Sequence, residues 1–562
     1  MEAMEKGNFV FRSLLVRNSI GILLIHFSIS CNPLTLNNPC DQKSKAYIET
    51  LLLASVSETP IPFCGFRVGN SPKLWETQAY LKASNADAND GFGYSVAISG
   101  DTIVVGAAGE SSNQTTITNG PTASSDNSLG SAGAAYVFQR FGSSWSQAAY
   151  LKPSNLGGTD QFGVSVAIDR DTIVVGANQE DSNQTTITNA PNAIAPNEGA
   201  TDSGAAYVFQ RSGTTWSEQA YLKPSNTGAN DQFGISLAIS GDTIAVGAYF
   251  EDSNQTSITN GSPAPANEGA TNAGAVYVFQ RSGTTWSEQA YLKPSNMEAG
   301  DRFGITVDIS NDTIVVGANL EASNQITITN GSGASVDNSA VNAGAAYVFR
   351  RTGTTWTQEA YLKAPNAESG DQFGNAVAID GDTIVVGAFA ESSNQTTITN
   401  GTTASSDNSA SIAGAAYVFQ RTGSTWSHQA YLKPPNLGAD DRFGNTVAIE
   451  GNTILVSSIF EDNNQTTVTN GTMPNDDNSL SNSGAVYVFQ RSGSTWAFRA
   501  YFKAPNADVE DRFGNAISIS GDTAVVGVNL EDSNQNTITN GPTASTNNSA
   551  LTSGAAFVFF RK

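Results

Sequence analysis

Asp231-Gln232-Phe233-Gly234-Ile235-Ser236-Leu237-Ala238-Ile239-Ser240-Gly241-Asp242-Thr243-Ile244-Ala245-Val246-Gly247-Ala248 decides how the rest of this chain reads. The stretch recurs with few changes. Its Phe-Gly pair falls at Phe92-Gly93, Phe162-Gly163, Phe233-Gly234, Phe303-Gly304, Phe373-Gly374, Phe443-Gly444 and Phe513-Gly514, so the spacing is 70 or 71 residues throughout. Gly274-Ala275-Val276-Tyr277-Val278-Phe279-Gln280-Arg281 follows, and then a segment led by Trp286 that ends at Lys293. The tryptophans, at 75, 145, 216, 286, 356, 426 and 496, also number seven. A period of this size indicates a repeat architecture.

Phe233, Ile235, Leu237 and Ile239 alternate with Gly234, Ser236 and Ala238. Period two sends the large residues to one face of a strand and the small ones to the other. The bulky face of one sheet can then meet the small face of the next. Ser240-Gly241 reads as a tight turn whose glycine supplies the positive φ. Residues 243–247, 275–280 and 286–293 are the expected second, third and fourth strands. Four antiparallel strands repeated seven times predict an all-β, seven-bladed β-propeller, in which stacking covers the apolar face each sheet would expose alone. Burying each repeated Phe is worth roughly 2–3 kcal/mol.

The register also predicts how the ring closes. The repeats begin with a lone Trp strand at residues 75–82 and end with a third strand at 555–560 that no Trp strand follows. Pairing the two completes the seventh blade and removes an exposed edge.

The pattern Asp-x-Phe-Gly, then Gly-Asp-Thr-Ile-Val-Val-Gly-Ala, then Gly-Ala-Ala-Tyr-Val-Phe resembles the FG-GAP repeat of integrin α-subunit propellers and of bacterial FG-GAP proteins, over residues 72–562. The resemblance implies a seven-bladed propeller and, more loosely, extracellular recognition or adhesion. Blade six departs from it, with Ser457-Ser458 in place of Gly-Ala. Integrin propellers often carry an acidic calcium loop between the first two strands. Here that connection shrinks to Ser99-Gly100, Asp169-Arg170 or Asp380-Gly381, too short to wrap a cation that takes six to eight oxygens. The family's calcium sites are therefore not carried over.

Residues 1–30 read as a signal peptide: Lys6, Arg12 and Arg17, an apolar run from Ile20 to Ile29, and Ser30 before Cys31. The run is short of the ~20 residues a membrane span needs. Cys31 resembles the lipidated cysteine of bacterial lipoproteins, although Ser28 stands where that family usually has Leu. Cleavage elsewhere and an uncleaved anchor stay open. Cys40 and Cys64 are then an even pair that an oxidising compartment would close into a disulfide, two free thiols being the alternative. Residues 31–71 read as a tether, with one short helix over 45–56 stopped by Thr59-Pro60-Ile61-Pro62.

Lys+Arg number 28 against 51 Asp+Glu, a formal charge of -23. That balance excludes nucleic acid, which needs clustered cations, and disfavours adhesion to anionic lipid. Of the two histidines, His26 lies in the export segment and His428 reads as an ordinary strand residue. No nucleophile elbow, paired-His zinc motif or phosphate loop is present, so no catalytic residue is assigned and an enzyme is not expected. Asp308, Tyr249, Ser457, Ser458, Phe498 and Arg499 depart from the repeat and read as drift. The tryptophans read as packing residues before sugar-stacking ones.

The conspicuous feature is the connection between the second and third strands. It runs to about 26 residues in every blade, where ordinary connections take about 4–6. Recurring Glu180-Asp181-Ser182-Asn183-Gln184-Thr185-Thr186-Ile187-Thr188-Asn189 and its equivalents predict ordered excursions, hairpins built on Thr-Thr-Ile-Thr. Strand alternation puts these connections on the same face as the fourth-to-first ones, which carry Asp90, Asp160, Asp231, Asp301, Asp371, Asp441 and Asp511. An acidic face is expected, with Asp160 and Glu180, or Asp231 and Glu251, as weak metal candidates and calcium the one cofactor left open; the alternative is that each Asp caps its own turn through backbone N–H groups, with solvated acids beyond it. Sequons at Asn113, Asn183, Asn254, Asn260, Asn330, Asn394, Asn400, Asn464 and Asn470 are glycan acceptors if the pathway is eukaryotic, and otherwise follow from repeated Asn and Thr.

The expectation is a monomeric binding or adhesion module on a bacterial surface or outer membrane, touching the membrane only through a lipid on Cys31. It would hold a macromolecular ligand, protein or glycan, through the long-loop face. A polysaccharide-acting propeller enzyme and an envelope assembly scaffold are the competing classes.

Overall fold

Each repeat folds as an antiparallel sheet that radiates from a common axis. In the third blade the strands run from the inside outward as Ser236–Ser240, Thr243–Ala248, Ala275–Ser282 and Thr285–Leu292. The computed structural model describes residues 73–189, 197–475 and 477–562, together with the backbone of Val16–Asn18, Gly21–Leu23, Ile61–Phe63 and Phe66–Val68. The helix expected over 45–56, and Cys31, Cys40 and Cys64, lie outside the described residues. Residues 74–562 form one compact unit of seven such sheets.

The ring closes as the register required. Trp75–Leu81 pairs antiparallel with Ala555–Arg561 and completes the seventh blade. Leu74 and Lys562 exchange two backbone hydrogen bonds of 3.0 Å beyond it.

Three expectations are corrected. The blades have five strands rather than four, the fifth being a two-residue piece of the long connection. In the third blade it is Thr259–Asn260, whose partners are Tyr291 and Ala290 on the Trp strand. The last Thr of Thr-Thr-Ile-Thr and the Asn after it therefore add to the outer edge of their own blade, and the motif does not fold back as a hairpin; the pairing covers part of an edge that solvent would otherwise meet. The innermost strand also starts late. In five blades it begins three residues after the Phe, as at Ser236. Gln232 and Gly234 take φ of 54° and 94°, and that kink turns Phe233 into the sheet interface.

Dovetailing between blades runs mainly through the second, third and fourth strands. Val174, Ala206, Val208, Ala220 and Leu222 of one blade meet Phe233, Tyr277, Phe279, Trp286 and Tyr291 of the next. Six further clusters repeat the arrangement, including the one across the chain's closure. The Gly of Gly-Ala is fixed by close approach: a Cβ on Gly247 would sit 2.1 Å from the carbonyl oxygen of Gly304 in the following blade. Blade six accommodates Ser457 by turning its hydroxyl to the backbone N–H of Thr446, at 3.0 Å.

Outer strands carry a bulge opposite Val278 and Phe279, which leaves Gln289 unpaired in the ladder. A bulge re-aims a side chain. Gln289 here accepts the indole N–H of Trp356 in the next blade at 2.8 Å. Arg499 occupies the same bulge in blade six, so that departure exchanges an indole acceptor for a solvated cation. Every tryptophan is buried under an arginine of its own blade, as with the Arg281 guanidinium 5.1 Å from the Trp286 ring.

Candidate functional site

Strand polarity places the second-to-third and fourth-to-first connections of all seven blades on one face, and two-residue turns on the other. The long connections are held by their own polar side chains. Gln255 donates to Ser257 O at 2.7 Å and Thr259 Oγ1 at 2.8 Å, and Ser253 Oγ caps the Gln255 N–H. Asn260 then crosses to the neighbouring blade, accepting from Trp356 N at 2.7 Å and donating to Trp356 O at 3.1 Å. The same clamp joins Asn119 to Trp216, Asn189 to Trp286, Asn330 to Trp426, Asn400 to Trp496, Asn470 to Trp75 and Asn540 to Trp145. Four sequon asparagines, Asn260, Asn330, Asn400 and Asn470, thus have their amide nitrogen already donating to a tryptophan carbonyl. A glycan on that nitrogen would break the clamp. Asn113, Asn183, Asn254, Asn394 and Asn464 are exposed.

The acids expected to crowd this face are inside the protein. Glu180 is buried and ion-paired with Lys223 at 3.0 Å. It also accepts from Tyr221 Oη at 2.8 Å, Asn155 Nδ2 at 3.1 Å and Ser182 N at 3.2 Å. Four donors fill the four lone-pair positions of a carboxylate, which leaves nothing to offer a cation. Lys223 spends its three hydrogens on Glu180, Ser203 Oγ and Gly204 O. Glu251 is held in the same way by Lys293, Tyr291, Asn226 and Ser253. Seven such pairs circle the propeller: Lys82–Glu531, Lys152–Glu110, Lys223–Glu180, Lys293–Glu251, Lys363–Glu321, Lys433–Glu391 and Lys503–Glu461. The sequence reading missed these lysines. Their signal was a lysine closing every Trp strand in a chain with few cations.

The seven aspartates are buried as well, which corrects the expected acidic ring and agrees with the alternative of turn caps. Each caps its own turn: Asp160 accepts from Gly157 N at 2.7 Å, and Asp231 from Gly228 N at 2.9 Å. Burial pushes Asp231 and Asp511 up to about 8, and Asp90, Asp160, Asp301, Asp371 and Asp441 up to about 7. Among the described residues, no group of three or more His, Cys, Asp or Glu is placed to hold a metal ion.

A raised carboxyl pKa means that the folded state holds the proton more tightly than the unfolded one. The stability this contributes is present in acid and is lost as pH rises from about 4 through the folded value. Asp231→Asn keeps an acceptor for Gly228 N–H and removes the titration. We expect Tm at pH 8 to rise by about 1–3 °C, and the fall in Tm between pH 5 and 8 to shrink, in thermal scans across that range.

Two other departures find places. Asp308 lies on the wall of a central cavity of ≈ 310 Å³ lined otherwise by Val, Ile, Leu, Ala and Ser518. Its carboxylate accepts from Ile309 N and Ile379 N, both at 2.8 Å, and so ties the inner strands of blades four and five. His428 packs against Phe419 with both ring nitrogens unpartnered, and burial pushes it down to about 4. It is a neutral strand residue.

Comparison with known families settles the kinship of this ring. The FG-GAP repeat matches residues 75–138, 145–209, 216–279, 286–349, 356–419, 426–489 and 496–559. The chain belongs to the FG-GAP repeat family. Each matched segment starts on a Trp strand, so one FG-GAP repeat spans the Trp strand of one blade and the other four strands of the next, the two-residue piece included. That offset is what lets the last repeat close on the first. No curated protein matches the chain.

Proposed function

We propose that this FG-GAP protein is an exported, lipid-anchored binding module that holds a macromolecular ligand through the long-loop face of its propeller. One observation carries the reading. Every blade sends out a connection of about 26 residues that leaves from and returns to that face and runs over the blade's outer edge between, far beyond the ~4–6 that linking two strands requires, while the other face has only tight turns. Connections of that length are usually functional or disordered, and here their own hydrogen bonds order them. The loops also present exposed pairs such as Thr115-Thr116, Thr185-Thr186 and Thr396-Thr397 around the disc. The signal-like N-terminus and Cys31 supply the expectation of export and anchoring, which metabolic labelling with a radioactive fatty acid would check through its loss in Cys31→Ser.

The binding face is testable with two steric blocks. Full-length protein is screened against extracellular matrix proteins and glycans, with and without calcium. Thr185→Arg with Thr256→Arg, both exposed loop positions, should reduce capture of the selected ligand at least tenfold. Thr284→Arg, on a turn of the opposite face, should leave it unchanged. The reverse pattern sinks the assignment.

A further inference from the structure

Where the innermost strands begin, on the long-loop face, the position before each Phe-Gly is held by Gly91, Gln161, Gln232, Arg302, Gln372, Arg442 and Arg512. All seven take the left-handed conformation, with φ between 54° and 62°. Glycine adopts that backbone freely and a residue with a side chain does not, yet six of seven blades keep a long polar side chain there. Strain of this kind concentrates at binding sites.

The three arginines differ from those on the other face. There Arg281 donates to Asp242 Oδ1 at 2.7 Å, Thr172 Oγ1 at 3.0 Å and Gln210 Oε1 at 2.8 Å, and its counterparts are similarly engaged. Arg442 instead lies 4.2 Å from the ring centroid of Phe460 and 5.6 Å from that of Phe389. Arg512 lies 4.8 Å from Phe460, so one ring carries two guanidinium groups. The Nε of each is buried without a hydrogen-bond partner. Arg512 has a single loose ion pair, 3.6 Å to Glu510, and Arg442 has none among the described residues. Burial, and then the charge of Arg512, holds Arg442 below the usual guanidinium range, with Asp440 opposing. Farther round the ring, Arg302 sits over Tyr249 and Phe250 at 5.8 and 5.3 Å.

We propose that Arg442 and Arg512 form a carboxylate-binding site for an acidic peptide segment of a protein partner, a site that rests on the reading of the long-loop face as the binding face. A guanidinium held over an aromatic ring with its Nε turned inward leaves its two terminal nitrogens to donate, and those match the two oxygens of a carboxylate. The Phe460 ring, which would otherwise be open to a sugar, already carries both arginines. That favours a peptide over an acidic glycan. The fold does not require arginine here, because glutamine serves in blades two, three and five with the same φ.

The probe is a fluorescein-labelled octaglutamate peptide, titrated with the full chain and read by fluorescence anisotropy at 0.15 M salt, where the protein's overall negative field is screened beyond about 8 Å. Wild type should bind it and not bind octaglutamine. Arg442→Gln with Arg512→Gln should weaken binding at least tenfold without lowering Tm, since the substitution removes two crowded like charges. Arg499→Gln, an exposed arginine elsewhere, should change nothing. Arg442→Lys should lose part of the affinity through loss of the planar donor pair. No binding of octaglutamate, equal binding by the double glutamine variant, or arginine-dependent binding of polygalacturonate in place of the peptide overturns the site. If the ligand selected above is lost on blocking the loops but kept by the double glutamine variant, the long-loop face stands and this site falls.

Discussion

A chain that begins at Ala83 will fail to give a stable monomer, whereas one that begins at Lys73 will fold. The missing strand is the outer strand of blade seven. It buries Trp75, Ala79, Tyr80 and Leu81 against the neighbouring sheets. Its large side chains are each worth roughly 1.5–3 kcal/mol. Its loss also removes Lys82 from Glu531, leaving a buried carboxylate unpaired at a cost of about 3–5 kcal/mol. The sum approaches 10 kcal/mol, comparable to the whole stability of an ordinary domain. Two further contacts go with it: the Thr539–Asn540 strand loses its partner, and Asn470 loses the Trp75 backbone it clamps. The freed edge of Ala555–Arg561 is long and apolar, so the expected product in light scattering is an oligomer or aggregate. Addition of a synthetic peptide covering 73–83 should restore the monomer. A monomer with unchanged Tm and no added peptide would show that the ring does not depend on its closure.

Breaking one buried lysine–glutamate pair should have the next largest effect. Lys223→Met leaves Glu180 with its charge inside the protein, and Glu180→Leu leaves Lys223 likewise. Each should cost about 3–5 kcal/mol, or a fall in Tm of about 3–5 °C for a unit of this size. The double variant Lys223→Met with Glu180→Leu removes both charges, and its loss should be smaller than the sum of the two single losses. That shortfall is the coupling energy of the pair. The pair must also hold geometry, since Lys223 reaches Gly204 O beside the Phe233 kink while Glu180 anchors Tyr221 and Asn155. Strictly additive losses in thermal or denaturant unfolding would mean that the two side chains stabilise the blade separately.

The ring itself was legible because repetition multiplies a weak signal. A single Phe-Gly-x-Ser-x-Ala is an ambiguous strand, but seven at one interval leave few architectures. The lone Trp strand at the head and the incomplete last blade made closure readable from register alone. The second-to-third and fourth-to-first connections could be placed on one face for the same reason, since antiparallel strands alternate in direction. The site was less legible. Asp160 and Asp231 were readable as turn caps, but Glu180 and Glu251 read as surface acids because sequence distance hides the lysine that meets each of them from the end of another strand. Asp308 and Arg499 read as drift, yet one ties two inner strands and the other fills a bulge. Their roles depend on which neighbour lies across the blade interface.

Sequence by itself determined the number of sheets, their strand directions, the point of closure and the face that carries the long connections. These follow from local periodicity and chain polarity, which survive without knowledge of what packs where. Tertiary structure alone decided which polar groups are spent and which remain free. It buries the aspartates and glutamates against their own turns and lysines, and clamps the loop asparagines onto tryptophan backbone. It leaves Arg442 and Arg512 over the one Phe460 ring, with a loose ion pair from Arg512 to Glu510 and no hydrogen-bond partner at either Nε. Whether a charge is satisfied depends on partners brought from other turns and other blades, and only the closed ring supplies them.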